Sequence, residues 1–500
     1  MSLHHALWVH GHSAEIEYPD RVASIVQKGS SVRVDGNPST TNWLHIAVPT
    51  AVIVDDARMR PVNVQFRYKA AGGGSVEAVH VYDGDRKIAD EKSPAATVDP
   101  DGWTRVRVVN FDDILCVEWG IGISIKLRFG ATGGLLEFES AGGDFELANR
   151  LAPHRLQILT RKAPMEFPYH SSLPIDLPND AVERILISLH GTGGSADVYL
   201  SNGLAAARAA ADTGVDPHAL SNTLVIAPQF LSTSECCRRL APNILLWNSG
   251  RASSKSSTEG DMDGDGVPDT GTLSSFTVMD TLLERICRRS LFPNLAIVVI
   301  AGHSNGGRFM SGYAAASRFE QEAAAPRGIH VRYLVMGSGS YLYMDEGRLA
   351  FEDDTYLSAA HNDGWRDTIL DLTDFSTVCS EDPAGFNDWP WGLTMPTING
   401  NPKYPYPARV GAAKIRSQFG SRDVHYIIGE GDLLASFTNC PERVQGQDTL
   451  AKTLLYYRHL EQFYGSDLKH HLHVLANVGH NGLKEMTSSR GLAAIFGPIA

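Results

Sequence analysis

The chain has 500 residues, 43% of them hydrophobic and 20% charged, and a formal net charge of −13. That length exceeds one ordinary domain and predicts two or three. The acidic balance argues against nucleic acid and anionic membranes as partners, and no apolar run is long enough to span a bilayer. The N-terminus, Met1 to Trp8, lacks the basic start and apolar core of a signal peptide. The sequence therefore reads as cytoplasmic by default, or as secreted with its leader removed. Six cysteines make no disulfide scaffold. They are expected to stay reduced, with Cys379 and Cys440, both in polar loop-like stretches, as the pair that could bridge.

Residues 1–148 read as an all-β, sandwich-like accessory domain. Short alternating segments recur at Trp43 to Val48, Val62 to Tyr68, Ala78 to Tyr82, Thr104 to Val109 and Ile121 to Phe129, separated by Gly, Asp, Asn and Pro. Trp43, Tyr68, Tyr82, Trp103 and Trp119 are candidates for a stacking surface that would contact carbohydrate or another polymer. Core packing is the more ordinary use of such residues.

Residues 149–500 change character. Apolar runs now alternate with helical stretches, which predicts an α/β domain with a mainly parallel sheet and helices on both faces. Six candidate strands are Ile185 to Leu189, Leu224 to Ala227, Leu295 to Ala301, Tyr333 to Met336, Val424 to Ile428 and Leu472 to Leu475. Two insertions interrupt the pattern, at about 231–275 and 345–415. Both follow strands, on the side where loops overhang the ligand site of open α/β sheets.

The stretch Gly302-His303-Ser304-Asn305-Gly306 is a G-x-S-x-G pentapeptide between an unbroken apolar strand and a helical run. That setting suits a nucleophile elbow, in which glycines permit a strained turn and the serine projects beside a helix N-terminus. A serine nucleophile needs a base, an orienting acid and an oxyanion hole. The chain order this arrangement requires is Ser, then acid, then His, and the fifth of the six candidate strands, Val424 to Ile428, ends in Gly429-Glu430-Gly431-Asp432. The last is followed by Val478-Gly479-His480. The triad is read as Ser304, Asp432 and His480, with Glu430 the rival acid. The run Ile185 to Leu189 leads into His190-Gly191-Thr192-Gly193-Gly194. Amides of Thr192 and Gly193, with that of Asn305, are the candidate oxyanion donors, and His190 is a candidate substrate contact.

On these four stretches the second domain resembles an α/β-hydrolase-fold serine esterase, of the feruloyl-esterase-like and polyester-depolymerase-like kind. The resemblance implies acyl transfer to Ser304, hydrolysis by water that His480 activates, and no cofactor for the reaction. A serine peptidase or amidase uses the same groups. A non-catalytic binding protein on a degenerate hydrolase domain is the alternative of another class. The insertions and the added β domain leave the acyl group and alcohol open. Tyr341, Trp389 and Trp391, with Tyr343 and Phe386, are candidate walls of a substrate pocket.

One further motif is Asp261-Met262-Asp263-Gly264-Asp265-Gly266-Val267-Pro268-Asp269. Alternating carboxylates with a glycine at the bend suit a hard cation, so Asp261, Asp263, Asp265 and Asp269 are candidate structural Ca²⁺ ligands. Thr272 stands where an EF-hand carries its bidentate Glu, so the loop is of a shorter type. Calorimetric titration should show Ca²⁺ binding, and a chelator should lower the melting temperature. Neither effect would be seen if the loop is only an acidic turn.

Overall fold

The computed structural model describes all residues except 1–4, 55–56, 109–115, 149–150, 160–163, 193, 232–240, 242, 248–273, 349–384, 435–439 and 499–500. The chain divides into two compact units between Arg150 and Leu151.

The first unit is built from antiparallel strands in two sheets. One is centred on the long strands Ala57–Ala71 and Gly134–Leu147; the other is centred on Thr41–Ala47, Ser75–Asp83 and Ile121–Arg128. Alternation of side chains turns one face of each sheet inward. Leu44, Ile46, Val79, Val81, Ile123 and Ile125 from one sheet and Val64, Phe66, Leu136 and Phe138 from the other share a single buried cluster. This is a β-sandwich. On the outer face of the second sheet Trp43, His80 and Tyr82 lie in ring contact, with centroids 4.7 and 6.2 Å apart. Trp119 is 75% exposed, whereas Tyr68 packs against the core.

The second unit holds one eight-stranded sheet. Its strands are β1 (His154–Leu159), β2 (Pro164–Ser171), β3 (Arg184–Leu189), β4 (Thr223–Pro228), β5 (Ile297–His303), β6 (His330–Met336), β7 (Asp423–Gly429) and β8 (His471–Leu475). They lie in the order β1-β2-β4-β3-β5-β6-β7-β8. The β1–β2 and β2–β4 pairings are antiparallel, and the remaining five are parallel. The strands absent from the sequence reading are β1 and β2, the antiparallel edge. Because the first unit is antiparallel throughout, the described sheets of the whole chain are mostly antiparallel, and the parallel character is confined to β3 through β8.

The central strands are apolar along their whole length because helices cover both faces. On one face α1 (Ala196–Thr213), α5 (Gly482–Thr487) and α6 (Ser489–Phe496) pack on Leu186, Val225, Val299, Leu334 and Ile427. On the other, α2 (Ser275–Ile286), α3 (Asn305–Ala316) and α4 (Thr449–Tyr464) pack on Ile185, Ile187, Val298, Ile300, Tyr333 and Tyr426. Helix starts are fixed locally. Ser274 caps α2 by accepting from the amides of Phe276 and Thr277, and Asp448 caps α4 by accepting from Ala451 N. Leu334 is fully buried in the middle of this layer. Leu334→Ala should lower the unfolding free energy by about 2–5 kcal/mol through the cavity it leaves, measured by urea denaturation with an unchanged m-value.

Candidate functional site

Four loops meet at the carboxyl ends of β3, β5, β7 and β8. The first is the turn from β5 into α3. Ser304 sits there with φ 59° and ψ −119°, a left-sided backbone that L-residues rarely adopt. The turn is tight enough to exclude side chains around it. A Cβ on Gly302 would lie 2.2 Å from the Gly306 carbonyl oxygen, and one on Gly306 would lie 2.7 Å from that of His190. A Cβ on Gly307 would lie 2.4 Å from the Met336 carbonyl oxygen. The strained residue is held at both ends: Ser304 N donates to Met336 O at 3.0 Å, and Ser304 O accepts from Arg308 N at 3.0 Å.

The second loop follows β3. A Cβ on Gly191 would stand 3.1 Å from Ser304 Cβ, so the backbone passes directly beside the serine. The Asn305 side-chain amide donates to Thr192 Oγ1, tying this loop to the first residue of α3. From below, the buried Gln229 donates to Gly194 O at 3.0 Å and accepts from Ala152 N at 2.8 Å. His190 is a further strut. Its Nε2 accepts from Phe230 N at 3.0 Å, and its Nδ1 lies 2.8 Å from Gly191 O.

The third and fourth loops supply an acid and an imidazole. Asp432 Oδ2 lies 2.7 Å from His480 Nδ1, with Asp432 fully buried and the His480 side chain 24% exposed. The two loops are laced together by backbone bonds, Glu430 N to Leu475 O at 2.9 Å and Gly431 N to Val478 O at 2.7 Å. That lacing turns Asp432 inward and leaves Glu430 exposed. The His480 ring packs on His303, the residue before Ser304, with centroids 4.5 Å apart. Ser304 and His480 share no hydrogen bond in this structure; the contact of His480 with His303 is what sets it beside the β5 turn.

Beneath this group lies a second set of buried polar residues. Tyr199 OH is 2.9 Å from His303 Nδ1, and His303 Nε2 is 3.8 Å from Glu485 Oε2. Glu485 is fully buried on α5. Asp432 Oδ1, His303 Nε2 and both Glu485 oxygens have no hydrogen-bond partner among the described residues. Burial, and next the charge of Asp432, hold the Glu485 carboxyl well above the usual carboxylate range. Burial, reinforced by His480, holds His303 well below the usual imidazole range. At Glu485 both effects, burial and the charge of Asp432, favour the protonated form.

Several sequence expectations change here. His190 is 1% exposed with both ring nitrogens occupied, so it braces the loop and does not face a substrate. Tyr341 and Trp389 are core residues, each 1% exposed. The Tyr341 hydroxyl is 2.8 Å from Thr453 Oγ1, and its ring stacks on Tyr456. Trp391 is half-buried. Aromatic residues in an irregular, proline-rich stretch read as a pocket wall, but their apolar area is spent on packing. The cysteines are not all reduced: Cys116 and Cys440 are each in a disulfide whose other half lies outside the described residues, and Cys287 is buried and free. Gly193, Cys379 and the acidic loop Asp261, Asp263, Asp265 and Asp269 lie outside the described residues. Sequence reasoning missed Gln229, Tyr199 and Glu485. Their only signals were a polar residue just past β4, a tyrosine in the first turn of α1, and a glutamate five residues after His480.

Residues 2–131 match a family of unknown function, DUF6623. No curated protein matches the chain. Among solved structures, the chain is similar to the poly(3-hydroxybutyrate) depolymerase LpqC of Bordetella parapertussis, at 13% identity and a TM-score of 0.43. That match covers 70% of this chain and 92% of that one. It is similar also to an S-formylglutathione hydrolase of Agrobacterium tumefaciens, at 12% identity and a TM-score of 0.34, over 68% and 94% of the two chains. A third likeness is to TmCBM61, solved with β-1,4-galactotriose, at 18% identity and a TM-score of 0.18, over 28% and 89%.

The buried Glu485 has a consequence for stability. On unfolding it is exposed and ionises near its ordinary value of about 4.3. Above that pH the unfolded chain releases this proton while the folded chain keeps it, so stability falls as pH rises. Glu485→Gln removes the term. Its melting temperature relative to the natural chain should climb steadily from roughly pH 5 to pH 8. A difference that stays flat across that range would mean Glu485 is ionised in the fold.

Proposed function

We propose that the second unit is an α/β-hydrolase-fold domain and that the protein is a serine hydrolase cleaving carboxylic esters. One observation carries this reading. A serine in strained, positive-φ backbone at a strand–helix junction lies in the same loop cluster as a buried Asp432–His480 pair. Strain of this kind persists where the surrounding structure enforces it, and such positions cluster at working sites.

In this reading Ser304 Oγ attacks the ester carbonyl and His480 Nε2 takes the hydroxyl proton. Asp432 holds Nδ1–H, which fixes the tautomer that leaves Nε2 free to accept, and it stabilises the imidazolium that forms. The amide of Asn305, at the start of α3, and that of Thr192 are aimed at the oxyanion, with Gly193 the third candidate donor. The imidazolium then protonates the leaving alcohol. Water, deprotonated by His480, cleaves the acyl-enzyme and restores Ser304. The Asn305–Thr192 contact sets the spacing of the two donors, and Gln229 and His190 keep the loop from collapsing. Calcium at the acidic loop would act on structure, not on the reaction.

A peptidase or amidase would use the same groups. The ester reading follows the resemblance carried by the stretches around Thr192, Ser304, Asp432 and His480. The outer face of the sandwich, with Trp43, His80 and Tyr82, is the part of the first unit suited to stacking on a sugar or polymer. Ser304→Ala should abolish turnover of a short-chain nitrophenyl ester and labelling by a fluorophosphonate while leaving the melting curve intact. Asp432→Asn should lower kcat by about 10⁴. Undiminished turnover in the serine variant would refute the assignment.

A further inference from the structure

We propose that the amino ends of β6, β7 and β8 form a binding site for a nitrogen-preferring divalent transition metal such as Zn²⁺. The ligands are Asp423, His425 and His471. This site lies at the opposite end of the strands from Ser304 and does not depend on the hydrolase reading.

Its origin is a period-two pattern on three neighbouring strands: His330-Val331-Arg332, Asp423-Val424-His425 and His471-Leu472-His473. Successive strand residues face opposite ways, so each triplet puts its two polar members on one face. The register aligns Arg332 with Asp423 and His425 with His471. All six polar side chains therefore share the face that carries Leu334 and Ile427 further along. β8 ends the sheet order, and His471 is exposed, so the group opens to solvent.

One ligand atom each from Asp423, His425 and His471 lies within 4.8 Å of the other two. His425 Nε2 and Asp423 Oδ1 are 2.9 Å apart. Two donors bound at about 2.1 Å to one ion stand roughly 3 Å from each other, so this pair already has the spacing of adjacent ligands. The far side of each of these two ligands is also held. His425 Nδ1 is 2.9 Å from His473 Nε2, and Asp423 Oδ2 is held by His330 Nε2 at 2.8 Å and Arg332 Nε at 2.7 Å. Metal-binding imidazoles and carboxylates are oriented in this way by a second ring of hydrogen bonds.

The donor set selects the metal. Calcium and magnesium require several oxygens, and here one carboxylate is already half engaged by Arg332. Two imidazoles and one carboxylate oxygen, with an open side toward water, suit Zn²⁺, Ni²⁺ or Cu²⁺. Binding would cross-link the edge strand β8 to β7 and stabilise the fold by mass action.

The test uses the full chain stripped with chelator and titrated with Zn²⁺ in the presence of excess Ca²⁺, which occupies any oxygen-rich site. The natural chain should bind one equivalent, and its melting temperature should rise with added Zn²⁺. His471→Ala, at an exposed position, should weaken binding at least tenfold and lose that rise. Co²⁺ should give a visible ligand-field spectrum that changes in the same variant. Absence of Zn²⁺ binding by the natural chain, or binding that His471→Ala leaves unchanged, would overturn the proposal. Ester turnover is not a readout here, so failure of this site and failure of the hydrolase reading are separable.

Discussion

The constraint on which the candidate site depends is steric, and it sits at the junction of β5 and α3. For Ser304 to project from the end of the sheet, α3 must begin within one residue of the strand, and the turn must come within contact of two neighbouring strand ends. The gaps at Gly302, Gly306 and Gly307 are too small for a methyl group. The adjoining carbonyls of His190 and Met336 belong to the loop after β3 and to the end of β6. The elbow therefore registers three strand ends against one another. Fixing Ser304 also fixes the loop after β3, because the Gly191 backbone lies beside the serine and Thr192 is tied to Asn305. Backbone strain at one residue is the cost of this convergence, and the packed sheet beneath it supplies the rigidity that maintains it.

The electrostatics around Asp432 follow from burial. Asp432 is fully buried and its side chain has one contact, with His480, its other oxygen being without a partner among the described residues. A second charge from Glu485 in the same pocket would be costly. Holding that carboxyl neutral removes the repulsion while keeping a polar group against His303. Burial, and next His480 against its ring, likewise hold His303 well below the usual imidazole range.

What could be read from sequence was whatever is written in periodicity and in short-range backbone demands. The apolar runs that became β3 through β8 are continuous because both faces are buried. The strand-turn-helix setting around Ser304 is local, so its glycines were visible. The antiparallel strands β1 and β2 were not, because their apolar residues are interrupted by Arg155, Gln157 and Glu166 on a wetter face. Asp432 and Glu430 could be weighed only by template geometry, since the choice depends on backbone bonds to the 475–478 loop. Tyr199, Gln229 and Glu485 act across sequence separations of 104, 35 and more residues. No local pattern encodes such contacts. The aromatic residues misled for the complementary reason: composition shows that a ring is present, and only packing shows which way its area is spent.

The C-terminal helix pair explains how one face of the sheet can be polar at the amino ends of β6 and β7, apolar further along, and close to buried His303 and Glu485 at the other end. Along β7 that face runs Asp423, His425, Ile427, Gly429, and along β6 it runs His330, Arg332, Leu334, Met336. Helices α5 and α6 cover its middle through Met486, Leu492, Ile495 and Phe496. At the end that carries Ser304, α5 delivers Glu485 beneath His303. At the other end, the end of α6 and the two residues after it present carbonyls to Arg332, which donates to Ala494, Gly497 and Pro498, and to Arg184, which donates to Phe496. A helix C-terminus carries partial negative charge, so it and Asp423 together compensate the buried guanidinium of Arg332. That compensation is what allows Asp423 to keep an oxygen directed at His425. The same short helical segment thus sets the charge balance at both ends of the sheet, through a neutral acid at one and a capped arginine at the other.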